Sequence, residues 1–383
     1  MKEIAKIKTV NRGSYKENSS YYPKGEKEMS TWSNIIALRM ERQYLTTPVG
    51  KRNYDRLFQD MSPVPTKYWT EPGDPPTLPA HSDFDDYDYN SRRRAKRDLL
   101  KGRFAGGNIA YVAKEDLELF ACLYKKELSE YSNIALELMN LLEREGPMNI
   151  QLMKELTGLL VKQITPELHK LQEAFLVYED QLDNDRDRGW YLFENEFPEI
   201  NPNRYSKKEA LKRVISRVGR LLVFFDVEML RSFYRLPIKL IKEVVEELVK
   251  EGVILEVVIE GRKGFLLMED REYLQEHSFE QVKPQVILLG RNDFLVRAYV
   301  EQLKKPYTSD YDTLYYLLID GEFHGAVVGK FKFGPHVLED VIIDLPKEEK
   351  TKRRAEIMAA IYMVFDEKLS PLKRYDQNEI RKS

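Results

Sequence analysis

Cationic side chains crowd one short stretch of the chain. Arg92, Arg93, Arg94, Lys96, Arg97, Lys101 and Arg103 stand there against a single acid, Asp98. Cations at that density displace the counterions condensed on a phosphate backbone, so binding through them is strong at low salt and weakens steeply as salt rises. Tyr87, Tyr89 and Phe104 flank the run and offer ring faces on which bases can stack. A second set, Lys207, Lys208, Lys212, Arg213, Arg217 and Arg220, recurs between positions 206 and 222, and Arg262 with Lys263 falls where two strand-like runs turn. The net charge is only −2, so no global field draws the chain to nucleic acid and any contact must come from such local clusters. Duplex DNA is the partner these residues suit. Lys208, Lys212, Arg262 and Lys263 join the run from Arg92 to Arg103 as candidate contacts.

Other chemistries lack their residues. The one cysteine, Cys122, sits among Leu119, Phe120 and Leu123 and reads as a buried helix face rather than a nucleophile. Five histidines are scattered without metal spacing, and no Walker loop, G-x-G-x-x-G or G-x-S-x-G occurs. Asp183, Asp185, Asp187 and Glu194 fall at calcium-loop positions, but Arg188 occupies the place that needs glycine and Pro198 blocks the exit helix. No metal, nucleotide or other cofactor is therefore expected. No run approaches the ~18 uncharged apolar residues of a membrane span, and the N-terminus has no apolar signal core. The chain is expected in the cytoplasm, as a monomer.

The elements that must carry these residues read as an α+β chain of tandem winged-helix repeats with a C-terminal β-rich domain. With 383 residues, 42% of them hydrophobic, several cores can form. Residues 1–30 form a polar arm. A domain over 31–131 opens with a helix near Trp32 to Arg42. It holds a long surface loop between Pro63 and Asn90, whose prolines and DFDDYDYN run reject a regular helix. NIAYVAKEDLELFACLYKK then reads as a strand turning into a helix. Over 132–198 come three helices, the third after Pro166, and the strand-like runs AFLVYEDQL and GWYLFENEF. The same order returns over 199–276: SKKEALKRVISRVGRLL, DVEMLRSFYRL and PIKLIKEVVEELVKEG, then VILEVVIE and GFLLME. Three helices closed by a two-stranded wing are the winged-helix plan. The third helix carries Glu243, Glu246 and Glu247, which suits backbone contact better than base reading. Over 277–383, QVILLGRNDFLV, LYYLLIDGEFHGAVVGKFKFG and LEDVIIDL alternate as strands, a helix spans about Glu348 to Asp366, and the tail LKRYDQNEIRKS frays.

In this order the chain resembles the AlkZ-like, or crosslink-repair, family of DNA glycosylases built from tandem winged helices. ALRMERQYL near the start, NIAYVAKEDLELF, the paired three-helix units, and VILLGRNDFLVR followed by IDGEFHGAVVG carry the resemblance. It spans about Trp32 to Asp366. It implies excision of alkylated or bulky purine bases from duplex DNA without a cofactor. The family's catalytic signature is a Gln, one residue, then Gln or Asp; the counterpart here, FQDMSP, places Gln59, Asp60 and Met61. In that register the second functional position holds Met61; with the register slipped by one, Asp60 serves, and the resemblance then assigns Gln59 to orienting water and Asp60 to base or electrostatic stabiliser. Where the family has a His, an apolar residue and a Pro, this chain has Ala110, Tyr111, Val112 and Ala113, and Tyr111 becomes a DNA-contact candidate. These departures leave a second reading open, a non-catalytic DNA-binding or regulatory protein on the same scaffold. Winged helices also bind proteins, which is a third.

Overall fold

Ile35, Ile36, Leu38 and Met40 recur at helical spacing and are buried along α1, Trp32–Arg42. The computed structural model describes residues 31–66, 74–104, 106–180, 188–277, 279–280, 282–332 and 334–380. The polar arm at 1–30 and Asp183, Asp185 and Asp187 lie outside the described residues.

Helix α2, Lys51–Asp60, buries Tyr54, Leu57, Phe58 and Asp60 on one side. The acidic run expected to stay a loop instead starts α3, Asp86–Ala95. Asp85 caps it by accepting from the Tyr87 N–H, Asp86 and Asp88 lie in its first turn, and Arg92 to Arg94 lie in its last. Acids at the start and bases at the end complement the helix dipole, and that local logic overrides the composition. Strands β1, Leu99–Phe104, and β2, Asn108–Ala113, pair antiparallel with Lys101 opposite Tyr111. Helix α4, Leu117–Tyr124, follows and is buried almost throughout.

Next comes α5, Asn133–Glu145, capped by Ser132, then α6, Ile150–Thr157, capped by Asn149. The third helix, α7, spans Val161–Glu173 with Pro166 inside it, so it starts earlier than expected. The Gln163 side chain reaches back to the Leu160 N–H at 3.0 Å and fixes that start. Strands β3, Val177–Glu179, and β4, Trp190–Leu192, are only three residues long, because FENE turns into the short helix α8, Phe193–Glu196. The second set repeats the order with α9, Lys207–Leu222, α10, Val227–Tyr234, and α11, Ile238–Lys250. Ser206 and Glu209 close a reciprocal capping box on α9, and Asp226 caps α10. Strands β5, Ile254–Ile259, and β6, Arg262–Leu267, form its hairpin, and α12, Met268–Glu276, leaves it.

The C-terminal part is a four-stranded antiparallel sheet in the order β10-β9-β8-β7. It is built from β7, Val286–Gly290, then α13, Phe294–Leu303, then β8, Asp312–Ile319, β9, Glu322–Lys330, and β10, Val337–Ile343. NDFLV, expected to extend a strand, is the start of α13, because Asp293 accepts from the Leu295 N–H and caps it. The closing helix splits into α14, Lys347–Lys352, and α15, Arg354–Val364. The tail does not fray over its described length: β11, Arg374–Tyr375, pairs with β12, Asn378–Glu379, and Leu372 and Tyr375 are buried. Alternation along β8 sends Tyr315, Leu317 and Ile319 to a core with α15, and Tyr316 and Leu318 to the main core.

That main core is continuous from Trp32 through α2, α4 and the 207–267 unit to the sheet, while 135–192 has a core of its own. Polar ties close it around α1. Arg39 is buried and donates to the Gly321 carbonyl at 2.6 Å and the Tyr299 hydroxyl at 2.8 Å. Arg42 makes a two-pronged pair with buried Asp270 at 2.8 and 2.5 Å. No helix among the described residues is long and apolar enough to cross a membrane.

His81 is wholly buried between two acceptors, the Gln43 carbonyl at 2.6 Å from Nδ1 and Asp293 Oδ2 at 2.8 Å from Nε2. Both ring nitrogens must donate, which selects the imidazolium. Burial alone disfavours that charge, but Asp293 outweighs it and the pKa is raised. The stabilisation is full below the unfolded histidine value of about 6.5 and is lost as pH rises through the raised folded value. Thermal melts between about pH 6 and about pH 9 should show a falling midpoint that is absent in His81→Gln. Parallel curves for the two proteins would deny the charged pair.

Candidate active site and nucleic-acid interface

Gln59 and Asp60 close α2, whose apolar side is locked into the core by Tyr54, Leu57 and Phe58. Beyond them the chain turns sharply. Ser62 Oγ donates to the Phe58 carbonyl at 2.8 Å, the Ser62–Pro63 peptide is cis, and Val64 exchanges two backbone hydrogen bonds with Tyr111 of β2, both at 2.9 Å. Arg297 of α13 reaches this turn from the far end of the sequence. Its guanidinium donates to the Pro63 carbonyl at 2.5 Å and the Phe233 carbonyl at 3.2 Å, and lies 4.1 Å over the Phe233 ring. Burial lowers its pKa to about 10, so it stays charged at neutral pH.

Asp60 is 4% exposed. Its Oδ2 lies 3.1 Å from Arg56 Nε and 3.5 Å from an Arg220 terminal nitrogen, while its buried Oδ1 has no hydrogen-bond partner. Burial raises the carboxyl pKa, and Arg56, Arg220 and Arg217 oppose that rise. Arg217 is itself held by Asp116, through bonds of 2.6 and 2.8 Å. Gln59 is half-buried, and its amide makes no hydrogen bond among the described residues. Gln59 and Asp60 are thus neighbours in sequence at the end of α2, an amide without a hydrogen bond among the described residues and a carboxylate with one buried oxygen left without a partner. An amide and a carboxylate are the group types that can orient a water and face a developing positive charge. Met61 is completely buried, as are Ala110 and Ala113, so those positions bring no polar group.

The 92–103 run does not form one cationic face. Arg92 and Lys96 are exposed without an ion pair among the described residues. Arg93 pairs with Asp55 at 3.1 Å and lies over the Phe58 and Tyr89 rings. Arg97 pairs with Asp180 and Glu196. Arg103 donates to Gln172 Oε1 at 2.8 Å. Arg94, Lys101 and Tyr111 are buried, which corrects their assignment to a DNA-facing surface. Arg94 lies beside the Tyr111 hydroxyl, whose pKa burial raises. Lys101 Nζ sits 2.9 Å from Glu179 Oε2, with Arg188 on the other oxygen at 2.8 Å, and burial pushes its pKa down to about 8. Strand β1 has both faces covered, so alternation gives Lys101 no way out to solvent.

Lys208 and Lys212 are also engaged elsewhere. Lys208 contacts Glu243 at 2.9 Å and Glu247 at 3.0 Å, and Lys212 contacts Glu247 at 2.9 Å and Glu251 at 2.5 Å. The acidic third helix of the unit is thus the counterpart of the basic first one. At the hairpin tip, Arg262 lies 4.3 Å over the Trp32 ring, and Glu260 accepts from the Trp32 backbone N–H at 2.9 Å. The tip therefore braces α1, and Lys263 projects from it without an ion pair among the described residues.

Sequence reasoning placed Arg220 in a basic set without linking it to Asp60, and did not single out Arg56 or Arg297. The four-residue spacing of Arg56 and Asp60 was a readable helix pair. The other two come from elements far along the chain, and no local pattern announces them.

No family model matches the chain, and no curated protein matches its sequence. Among solved structures, the Streptomyces sahachiroi DNA glycosylase AlkZ is similar, with a TM-score of 0.61 over 90% of this chain and 99% of that one, at 16% identity. The likeness is one of fold. It accords with the mixed α+β order and with the distant resemblance in the segments quoted above.

The Lys101 environment makes a direct test. Lys101→Met keeps the stem but leaves Glu179 to Arg188 alone, and should lower folding stability by about 3 kcal/mol. The salt dependence of duplex binding should not move. A flatter salt slope at unchanged stability would return this ammonium to the DNA.

Proposed function

We propose that this chain binds duplex DNA and removes alkylated or bulky purine bases from it as a monofunctional glycosylase, on a scaffold of tandem winged helices. The observation that carries the reading is Asp60: a buried carboxylate with arginines on one oxygen and no hydrogen-bond partner among the described residues on the other, adjacent in sequence to Gln59. The twice-repeated order of three helices and a hairpin, and the fold likeness to a DNA glycosylase, support it.

The chemistry asks little of the protein. An N7-alkylated purine is already cationic, so its ring nitrogen takes the glycosidic electron pair and leaves neutral, with no strong acid required. Water adds to the sugar carbon left behind. Gln59 orients that water, and ionised Asp60 either takes its proton or stabilises the cationic sugar. Arg92, Lys96 and Lys263 are the candidates for phosphate contact from the expected set that are exposed without an ion pair among the described residues.

A second reading, a non-catalytic DNA-binding protein, is favoured by the apolar burial of Met61, Ala110 and Ala113. Purified protein incubated with duplex DNA carrying N7-methylguanine decides between them. Release above the spontaneous rate supports excision; binding without release supports the second reading. Because burial raises the Asp60 pKa, release that needs the ionised form should climb with pH through a midpoint above the ordinary aspartate range. Asp60→Asn should remove that limb and cut the rate by about a hundredfold or more.

A further inference from the structure

We infer that the phosphates flanking the target base are held by an arginine stripe built jointly by α2 and α9, namely Arg52, Arg56, Arg213 and Arg220. The inference rests on the DNA-binding part of the reading above and names the surface that does the binding. On α9, positions 213, 217 and 220 are spaced i, i+4 and i+7, so they lie along one face. On α2, Arg52, Arg56 and Asp60 are spaced by fours and do the same. The two helices pack together, and the stripes meet on a single atom, Asp60 Oδ2, which Arg56 and Arg220 both approach.

The charges there do not cancel. Arg217 is matched by Asp116, but Arg56 and Arg220 share one carboxylate and remain 67% and 50% exposed at the side chain. Arg56 engages Asp60 through Nε, which leaves its terminal nitrogens to donate outward. Arg213 is exposed, stacked 4.6 Å over the Tyr205 ring, and has no ion pair among the described residues; Arg52 is exposed and likewise unpaired. A stacked guanidinium presents its N–H fork in a fixed orientation, as two-pronged phosphate contact requires. Of the basic residues expected to touch DNA, Arg94 and Lys101 are buried, Arg93, Arg97, Lys208 and Lys212 are paired with carboxylates, and Arg262 is braced on Trp32. Duplex DNA, with a line of negative charge spaced along both strands, is the occupant this stripe complements.

The test is equilibrium binding of the full chain to a fluorescent duplex across a salt series. The Arg52→Gln/Arg213→Gln pair, which leaves both Asp60 contacts in place, should weaken binding roughly tenfold at physiological salt and reduce the log–log salt slope by about 2. Arg52→Lys/Arg213→Lys should recover the slope. Lys208→Gln/Lys212→Gln, on the laddered face of the same helix α9, should bind as the unmodified chain does. Unchanged binding by the Arg52→Gln/Arg213→Gln pair, or a loss that follows the Lys208/Lys212 variant instead, overturns the stripe. Base release measured alongside separates the two claims. Duplex binding that needs the stripe without base release removes only the excision reading, and a chain that binds no duplex at any salt removes both.

Discussion

Arg39 is a charged residue in the apolar side of a helix, and the protein closes around it. Its guanidinium donates to the Gly321 carbonyl, so the turn between β8 and β9 must lie against α1. Gly321 has a positive φ of 89°, and a Cβ there would come within 2.3 Å of Ile36. Contact this close admits only glycine. Losing the guanidinium would leave the buried Gly321 carbonyl without a donor. Trp32 and Arg42 extend the same constraint to the β5-β6 hairpin and to α12. A helix from the start of the chain thereby becomes the keystone for elements from its second half.

The candidate site follows from that closure. With α1 fixed against α9 and α12, α2 is carried onto α9, and Asp60 comes under Arg220. Arg297 then holds the turn beyond Asp60 from the opposite side by capturing the Pro63 carbonyl. A carboxylate in such a place is under two opposed influences. Desolvation pushes it toward the neutral acid, and arginines pull it back toward the anion. A group poised between those influences can change its interaction as charge develops next to it, which is the property the proposed base excision draws on.

Charge is also what separates structural from available basic residues. Cations on α9 divide by helical face: Lys208 and Lys212 turn toward the glutamates of α11, while Arg213 and Arg220 turn away from them. The near-neutral total charge is the sum of such internal pairings, so it understates how positive one surface can be. The same division runs through the 92–103 segment, where Arg92 and Lys96 at a helix end are exposed while Arg94 of the same turn and Lys101 of the following strand are buried.

What the sequence determined by itself was local. The three helices and hairpin at 207–267 were legible because capping residues, 3.6-residue periodicity and a Gly-containing turn all agree within one segment. The resemblance singled out Gln59 and Asp60 through a motif of adjacent residues. Elements failed to read where one signal contradicted another. At DFDDYDYN, capping by Asp85 prevailed over loop-like composition, and at NDFLV, capping by Asp293 started a helix in a strand-like run. Only the tertiary structure decided which cations are free, because burial and ion pairing depend on partners far away in the chain. Lys101 meets Glu179, Arg262 meets Trp32, and Arg220 meets Asp60. Electrostatic energy falls with distance in space and is blind to distance in sequence, so a charge cluster read along the chain cannot say which of its members will face a phosphate.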